Sequence, residues 1–303
     1  MTTPKFITYE QGEAALNWLA LTDALAEAHR LPEAEIEDIF LYRGEDTLLS
    51  RAAWIDGLGS LVKTATIFPG NAAVEKPAVN GAVTLFSDRT GEAEAFVDFH
   101  LVTKWKTAGD SLLAARRLAR PESRNILILG AGTVAASLIE AYSAGFPGAK
   151  FTLWNRTAGR AAQLAEQTGA LVAEDLAEAV GRADIIATAT MSTEPVLKGE
   201  WLQPGQHIDL IGAYRPDMRE ADDEVLRRAR LFVDSRATTV GHIGEIKDPL
   251  ARGVISEEDI IADFYQLDAV RRESDTEITV AKNGGGAHLD LMTARHILDW
   301  VGA

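Results

Sequence analysis

From Glu10 to about Arg30 the apolar residues Ala14, Trp18, Leu21, Leu25 and Ala28 recur every three or four positions, the spacing of one buried helix face, and Pro32 bounds the segment. Short runs rich in branched or aromatic residues follow at Thr47-Leu49, Ser60-Phe68 and Ala82-Ser87, and they predict strands. Asp88-Arg89-Thr90-Gly91 reads as a hairpin turn into Glu92-Phe99. Between Leu101 and Leu118 the period returns to that of a helix, with Leu101, Trp105, Ala108, Leu112 and Ala115 on one stripe. Thr103, Lys106, Thr107 and Asp110 form a polar stripe on the same helix. Arg120-Pro121-Glu122-Ser123 ends the helix and predicts a domain junction.

Beyond the junction, strand and helix alternate. Asn125-Leu129, Lys150-Trp154, Leu171-Ala173, Ile185-Thr188, His207-Ile211 and Leu231-Asp234 read as strands. Val134-Ala144, Gly159-Thr168 and Asp175-Val180 read as the helices between the first of them. This grammar predicts an α/β fold with a doubly wound parallel sheet. Ser256-Glu257-Glu258-Asp259 is expected to cap a further helix. Glu277-Val280 reads as a strand, Asn283-Gly284-Gly285-Gly286 as a loop and His288-Trp300 as the last helix.

Composition narrows the range of partners. The chain has 303 residues, 47% of them hydrophobic and 25% charged, which is globular and long enough for about two domains. A net charge of −15 repels phosphate backbones and anionic lipid, so neither nucleic acid nor a membrane surface is an expected partner. The densest basic stretch, Arg227-Arg228-Ala229-Arg230, reads as a solvated helix end. There is no cysteine, which excludes disulfides, thiolate metal sites and a thiol nucleophile. Met1-Thr2-Thr3-Pro4-Lys5 leads into a charged stretch instead of an apolar signal core, and a cytoplasmic protein is expected.

Within the alternating region, Ile126-Leu127-Ile128-Leu129-Gly130-Ala131-Gly132-Thr133-Val134-Ala135 supplies a strand, a glycine-rich turn and a helix start in the order a dinucleotide needs. Gly130 permits the tight turn and Gly132 the close approach of the pyrophosphate, while Ala135 takes the place of the third glycine. At the end of the next strand, Asn155, Arg156 and Thr157 offer a guanidinium and a hydroxyl but no acid to accept from a ribose 2′-hydroxyl. That favours NADPH, with NADH as the alternative. Thr188-Ala189-Thr190 and Gly212-Ala213-Tyr214 each follow a strand, at the sheet edge where such cofactors bind.

Outside the nucleotide region, Arg43, Lys63, Lys106, Asp110 and His288 are the candidates for substrate chemistry. Lys63 interrupts an otherwise apolar strand, Leu61-Val62-Lys63-Thr64-Ala65, where an unpaired ammonium would be costly. The alternative is a lysine that reaches along the strand edge to water. Lys106 and Asp110 face either a site or solvent, and His288 at a helix N-terminus is either a structural cap or a ligand. No spacing of His, Asp and Glu predicts a metal site.

The segments Lys63-Thr64-Ala65-Thr66-Ile67-Phe68-Pro69-Gly70-Asn71, Asp88-Arg89-Thr90-Gly91, Lys106-Thr107-Ala108-Gly109-Asp110-Ser111, Gly130-Ala131-Gly132 and Ile211-Gly212-Ala213 occur in an order that resembles the ornithine cyclodeaminase/mu-crystallin family. The resemblance runs from roughly Tyr42 to Thr293. It implies a homodimer and a discontinuous α+β substrate and dimerisation domain, residues 1–120 completed by 275–303, around a Rossmann domain at 121–274. Ornithine cyclodeaminases carry an aspartate where Tyr214 stands and an arginine where Lys106 stands, and both departures speak against that activity. The stretch from Lys106 to Ser111, taken with Asn283 to Thr293, is similar instead to bacterial Δ1-pyrroline-2-carboxylate reductases. These imply NADPH-dependent reduction of a small cyclic imino acid, Δ1-pyrroline-2-carboxylate to L-proline, and of its six-membered piperideine analogue to L-pipecolate. Alanine dehydrogenase activity, ornithine cyclodeamination and simple binding of NADPH with a small carboxylate are the rival outcomes within the family. By its match to the family, Arg43 holds the substrate carboxylate with Lys63, and Arg51 is its substitute. Lys63 also orients or protonates the imine, Lys106 adds positive field, and Asp110 balances Lys106 or relays a proton.

Overall fold

The two sequence periods build two sheets. The computed structural model describes residues 3–302, so Met1 and Thr2 of the N-terminal reading, and Ala303, lie outside the described residues. In chain order the elements are β1 (Lys5–Ile7), α1 (Tyr9–Ala15), α2 (Trp18–Ala28), β2 (Glu35–Arg43), β3 (Asp46–Ile55), β4 (Gly59–Ile67), β5 (Val79–Phe86), β6 (Ala93–Val97) and α3 (Phe99–Leu118). Then come β7 (Asn125–Leu129), α4 (Thr133–Gly145), β8 (Lys150–Trp154), α5 (Ala158–Thr168), β9 (Leu171–Val172), α6 (Leu176–Arg182), β10 (Ile185–Thr188) and β11 (His207–Leu210). The chain closes with α7 (Asp223–Arg228), β12 (Ala229–Val233), α8 (Arg236–Thr239), α9 (Gly244–Ala251), β13 (Ile260–Ala262), β14 (Ile278–Lys282) and α10 (Ala287–Gly302).

By its internal contacts the chain divides into two compact units, Met1–Lys106 with Gly286–Ala303, and Thr107–Gly285. The division falls inside α3, where the sequence suggested a break after residue 120. Pro121 stops the helix, but Phe99, Leu101, Val102 and Trp105 at its start are already buried in the first unit.

The first unit is a six-stranded sheet in the order β1-β6-β5-β4-β3-β2. All pairs are antiparallel except β1 with β6. Along β4 the buried Leu61, Lys63 and Ala65 alternate with Val62, Thr64 and Thr66. Across the ladder Arg51 stands opposite Lys63 and Ala53 opposite Leu61, so both cations share the covered face. α10 packs on that face through β3 and β4, and its Leu289, Leu291, Met292 and Ile297 are buried. The expected single helix from Glu10 to Arg30 is two. Leu16 turns extended, and the Asn17 side chain accepts from the N–H groups of Leu19 at 2.9 Å and Ala20 at 3.0 Å, starting α2 afresh. β2 escaped the reading because, as the edge strand, it has no buried face to leave an alternating pattern.

The second unit is an eight-stranded sheet ordered β13-β12-β14-β11-β10-β7-β8-β9, with every pair parallel. Its strand order reverses between β7 and β10, the place where ligands of such sheets bind at the carboxyl ends of the strands. The helix expected after Ser256 is only a single turn, Glu257–Asp259, because the branched run that follows pairs with β12 as β13. The basic stretch at 227–230 is not simply solvated: Arg228 donates to the carbonyls of Gly199 and Leu202, and Arg230 pairs with Glu273 at 2.7 Å.

Candidate active site

In the first unit the sheet, α3 and α10 converge on Lys63. Its Nζ donates to Asp290 Oδ1 at 2.8 Å and to Thr103 Oγ1 at 2.8 Å, and lies 4.7 Å from the centre of the Phe99 ring. Arg51 approaches the other oxygen of Asp290 at 3.6 Å and forms a paired contact with Asp38, at 3.1 and 2.7 Å. Burial pushes the Lys63 ammonium down to about 8 against the pull of Asp290, with Lys106 and Arg51 adding to the fall. Burial alone would raise the Asp290 carboxyl, but Lys63, Lys106 and Arg51 together hold it below its usual value. The result is a covered cluster with an excess of positive charge and a lysine that loses its proton at about pH 8. Such a group can hold a carboxylate and can give a proton at working pH.

The other expected residues fall in different places. Arg43 ends β2 with 79% of its side chain exposed and pairs with Asp46 at 2.9 Å, so the guanidinium beside Lys63 is that of Arg51. Lys106 is buried on α3 and close enough to bear on Lys63. Asp110 is buried in the second unit, where its charge bears on Tyr142 and Lys282. His288 is buried one residue into α10, with its ring edge-on to that of His29 at 5.6 Å. Burial, and then His29 and Lys106, hold its ring well below the usual imidazole range, so it is neutral. Asp290, the partner of Lys63, was not among the sequence candidates. In Leu289-Asp290-Leu291 it stands between two leucines that are buried in the fold, a signal that could have singled it out.

In the second unit the glycine-rich turn has the shape a pyrophosphate needs. Gly130 has φ +125° and its N–H donates to Trp154 at 2.8 Å; a Cβ there would lie 2.6 Å from the Ala189 carbonyl oxygen. Gly132 caps α4 without a side-chain hydrogen bond, and a Cβ on it would meet no protein atom within 4 Å. The N–H groups of Thr133 and Val134 begin the helix behind that open space, and Ala131 lies in the turn itself. Ala135 is fully buried at the third position of the motif. Asn155, Arg156 and Thr157 follow β8. Asn155 Nδ2 closes the loop on the Thr157 carbonyl at 2.9 Å, whereas Arg156 is exposed and makes no ion pair with a described residue. These residues fit a nicotinamide dinucleotide.

The loops after β10 and β11 are fastened by a residue that sequence reasoning missed. Glu220 is fully buried and accepts from Thr188 Oγ1, Thr190 N, Thr190 Oγ1 and Gly212 N, each at 2.7 Å, and from Ala213 N at 3.2 Å. The hydroxyl protons of Thr188 and Thr190 are therefore committed to the protein, as are the N–H groups of Thr190 and of Ala189, which donates to the Leu129 carbonyl at 2.7 Å. A Cβ on Gly212 would sit 1.9 Å from the Thr190 carbonyl oxygen, which explains the glycine. Tyr214 beyond it is 57% exposed. Glu245 backs the clamp by accepting from the Glu220 and Ala221 N–H groups at 2.6 and 3.1 Å. Burial, and then Glu220, raise its carboxyl to about 7. Arg219-Glu220 reads in sequence like any charged loop pair.

The sequence profile of the ornithine cyclodeaminase/mu-crystallin family matches residues 56–303. The chain belongs to this family. Among family relatives, a Δ1-pyrroline-2-carboxylate reductase of Paracoccus denitrificans (strain Pd 1222) is 50% identical over 305 residues, which cover 98% of this chain and 96% of that protein. Among solved structures, the Δ1-pyrroline-2-carboxylate reductase of Thermococcus litoralis, in complex with NADH and L-proline, superimposes with a TM-score of 0.87 at 25% identity, covering 97% of this chain and 96% of that one. An archaeal alanine dehydrogenase dimer with bound NAD gives a TM-score of 0.87 at 29% identity over 98% of this chain and 95% of that one. The α/β fold with its parallel sheet is thus that of the family. Among the described residues no helix is long and apolar enough to cross a membrane, and no group of three His, Asp or Glu side chains could hold a metal ion.

Proposed function

We propose that this chain is an NADPH-dependent reductase that converts Δ1-pyrroline-2-carboxylate to L-proline and its six-membered analogue, Δ1-piperideine-2-carboxylate, to L-pipecolate. The observation that carries the reading is Lys63, an ammonium on a covered strand face with Arg51 opposite it and Lys106 nearby. The relative at 50% identity, named for this reduction, supports it. The nicotinamide, when bound, supplies hydride to the imine carbon. Arg51 and Lys106 hold the substrate carboxylate by charge, and Arg51 takes the role that the family resemblance gave first to Arg43. Lys63 gives its proton to the imine nitrogen, so that the C=N bond becomes CH–NH. The neutral His288 counters no charge, and Asp110 balances Lys282 within the second unit. The assay that tests this is loss of near-ultraviolet NADPH absorbance with each cyclic imino acid, and with pyruvate plus ammonia as the alanine dehydrogenase control. Consumption with pyruvate and ammonia alone would overturn the reading.

Preference for NADPH rests on Arg156, which is exposed beside β8 with no acid at the strand end. A guanidinium contact to a 2′-phosphate is worth about 1.5–3 kcal/mol, or roughly 10–100-fold in affinity. Arg156→Ala is therefore expected to raise KM for NADPH by about that factor and to leave KM for NADH within about 2-fold, as measured by initial rates with each cofactor. Equal changes for both would remove the preference from Arg156. The same reading makes the chain a cytoplasmic homodimer. Its support is the edge strand β2, which exposes Ile39, Phe40, Leu41 and Tyr42 in succession, an apolar strip suited to a second copy.

A further inference from the structure

Both oxygens that meet the Lys63 ammonium are acceptors. The Thr103 hydroxyl gives its own proton to the Phe99 carbonyl at 2.8 Å, so its oxygen is turned to receive from Nζ at 2.8 Å. Asp290 Oδ1 receives the second N–H at 2.8 Å. A neutral amine has two N–H groups, enough for both acceptors, but it loses the charge attraction to the Asp290 carboxylate; an ammonium keeps that attraction and retains a third N–H for another acceptor.

The surrounding charges work the other way. Arg51 faces Lys63 from β3 and is itself held by Asp38 of β2; Lys106 bears on it from α3; His288 of α10 and His29, beyond the end of α2, lie beside the cluster and are not counter-ions. Asp290 is the carboxylate that touches Lys63 directly, and it arrives from a segment 227 residues away in sequence.

We propose that Asp290 is a positioning residue for proton delivery: by pairing with Lys63 from the last helix it keeps that lysine protonated and aimed, and so sets the pH range in which the enzyme reduces imines. The inference rests on the reading of Lys63 as the proton donor. Its sign follows from the charges. Removing the carboxylate leaves the ammonium with burial, Arg51 and Lys106, all of which favour loss of the proton, so the donor is lost at lower pH.

The test is the pH dependence of kcat/KM for imine reduction by the full chain, with wild type, Asp290→Asn and Asp290→Glu compared. Wild type is expected to lose activity as pH rises through about 8. Asp290→Asn should move that basic limb down by about 1–3 pH units, so that its deficit is about fivefold or more at pH 8 and shrinks toward pH 6. Asp290→Glu, which restores the charge, should return most of the shift. If Asp290→Asn turns over too slowly to follow, the same displacement is expected in the pH at which Lys63 acquires label from acetic anhydride, read by peptide mass spectrometry. A limb and a labelling curve that stay at the wild-type pH, with an equal loss of rate at every pH, would make Asp290 a packing residue and overturn the inference. If Lys63→Met kept wild-type turnover, the donor reading would itself have failed, whatever Asp290→Asn did.

Discussion

Replacing Lys63 by methionine is expected to lower kcat/KM for the cyclic imino acid by about 10²–10⁴-fold, the loss that follows removal of a positioned acid. Methionine keeps the length and apolar stem of lysine, so Leu61, Ala65 and the Phe99 ring retain their packing. The change also takes from Asp290, which is fully buried, its one short ion pair, leaving the 3.6 Å approach of Arg51 and the field of Lys106. Breaking a buried pair from one side costs about 3–5 kcal/mol. A stability defect and a chemical defect thus arrive together, and a second variant separates them. Lys63→Met with Asp290→Asn removes the lone charge and should recover most of the thermal stability without recovering turnover. Initial rates and thermal unfolding on the two variants check this. Restoration of rate along with stability would show that the single variant had failed through folding.

The second large effect is expected at the glycine-rich turn, where the two glycines flanking Ala131 serve different ends. At Gly130, φ of +125° and the nearby Ala189 carbonyl forbid a side chain. Gly130→Ala should destabilise the second unit by about 1–3 kcal/mol and weaken cofactor binding with it. At Gly132 a methyl group would touch no protein atom, so Gly132→Ala should unfold like wild type. Its methyl would project into the space assigned to the pyrophosphate, and affinity for NADPH should fall about tenfold or more, the equivalent of ~1.4 kcal/mol. Fluorescence titration with NADPH beside thermal denaturation resolves the two behaviours. Wild-type affinity in Gly132→Ala would move the dinucleotide away from this turn.

Much of the second unit was legible because each strand of a covered parallel sheet is itself an apolar run. Asn125–Leu129, Lys150–Trp154 and Ile185–Thr188 appear in the structure with the bounds that the pattern predicts. The first unit was harder to read. Asn17 interrupts a helical period that runs on through it, and β2 carries its apolar residues on an exposed edge. Lys63 stood out because a charge inside an apolar strand demands a partner. Its partner could not be named, since Asp290 joins it only when the last helix folds back onto the sheet. The same limit explains Arg43 and Arg51. Both lie in the same hairpin, and only the register Arg51 to Lys63 shows which guanidinium belongs to the cluster. Glu220 had no local signal at all, because its ligands lie on two loops from different strands.

That last residue alters how affinity for the cofactor arises. Glu220 ties Thr188 and Thr190 to Gly212 and Ala213 through hydrogen bonds that lie wholly within the protein. Fixing a loop residue costs about 1–2 kcal/mol of conformational entropy. Here that cost is met when the chain folds, and a dinucleotide bound as proposed would not have to meet it again. On the proposed reading, binding strength at this edge of the sheet is partly a by-product of folding.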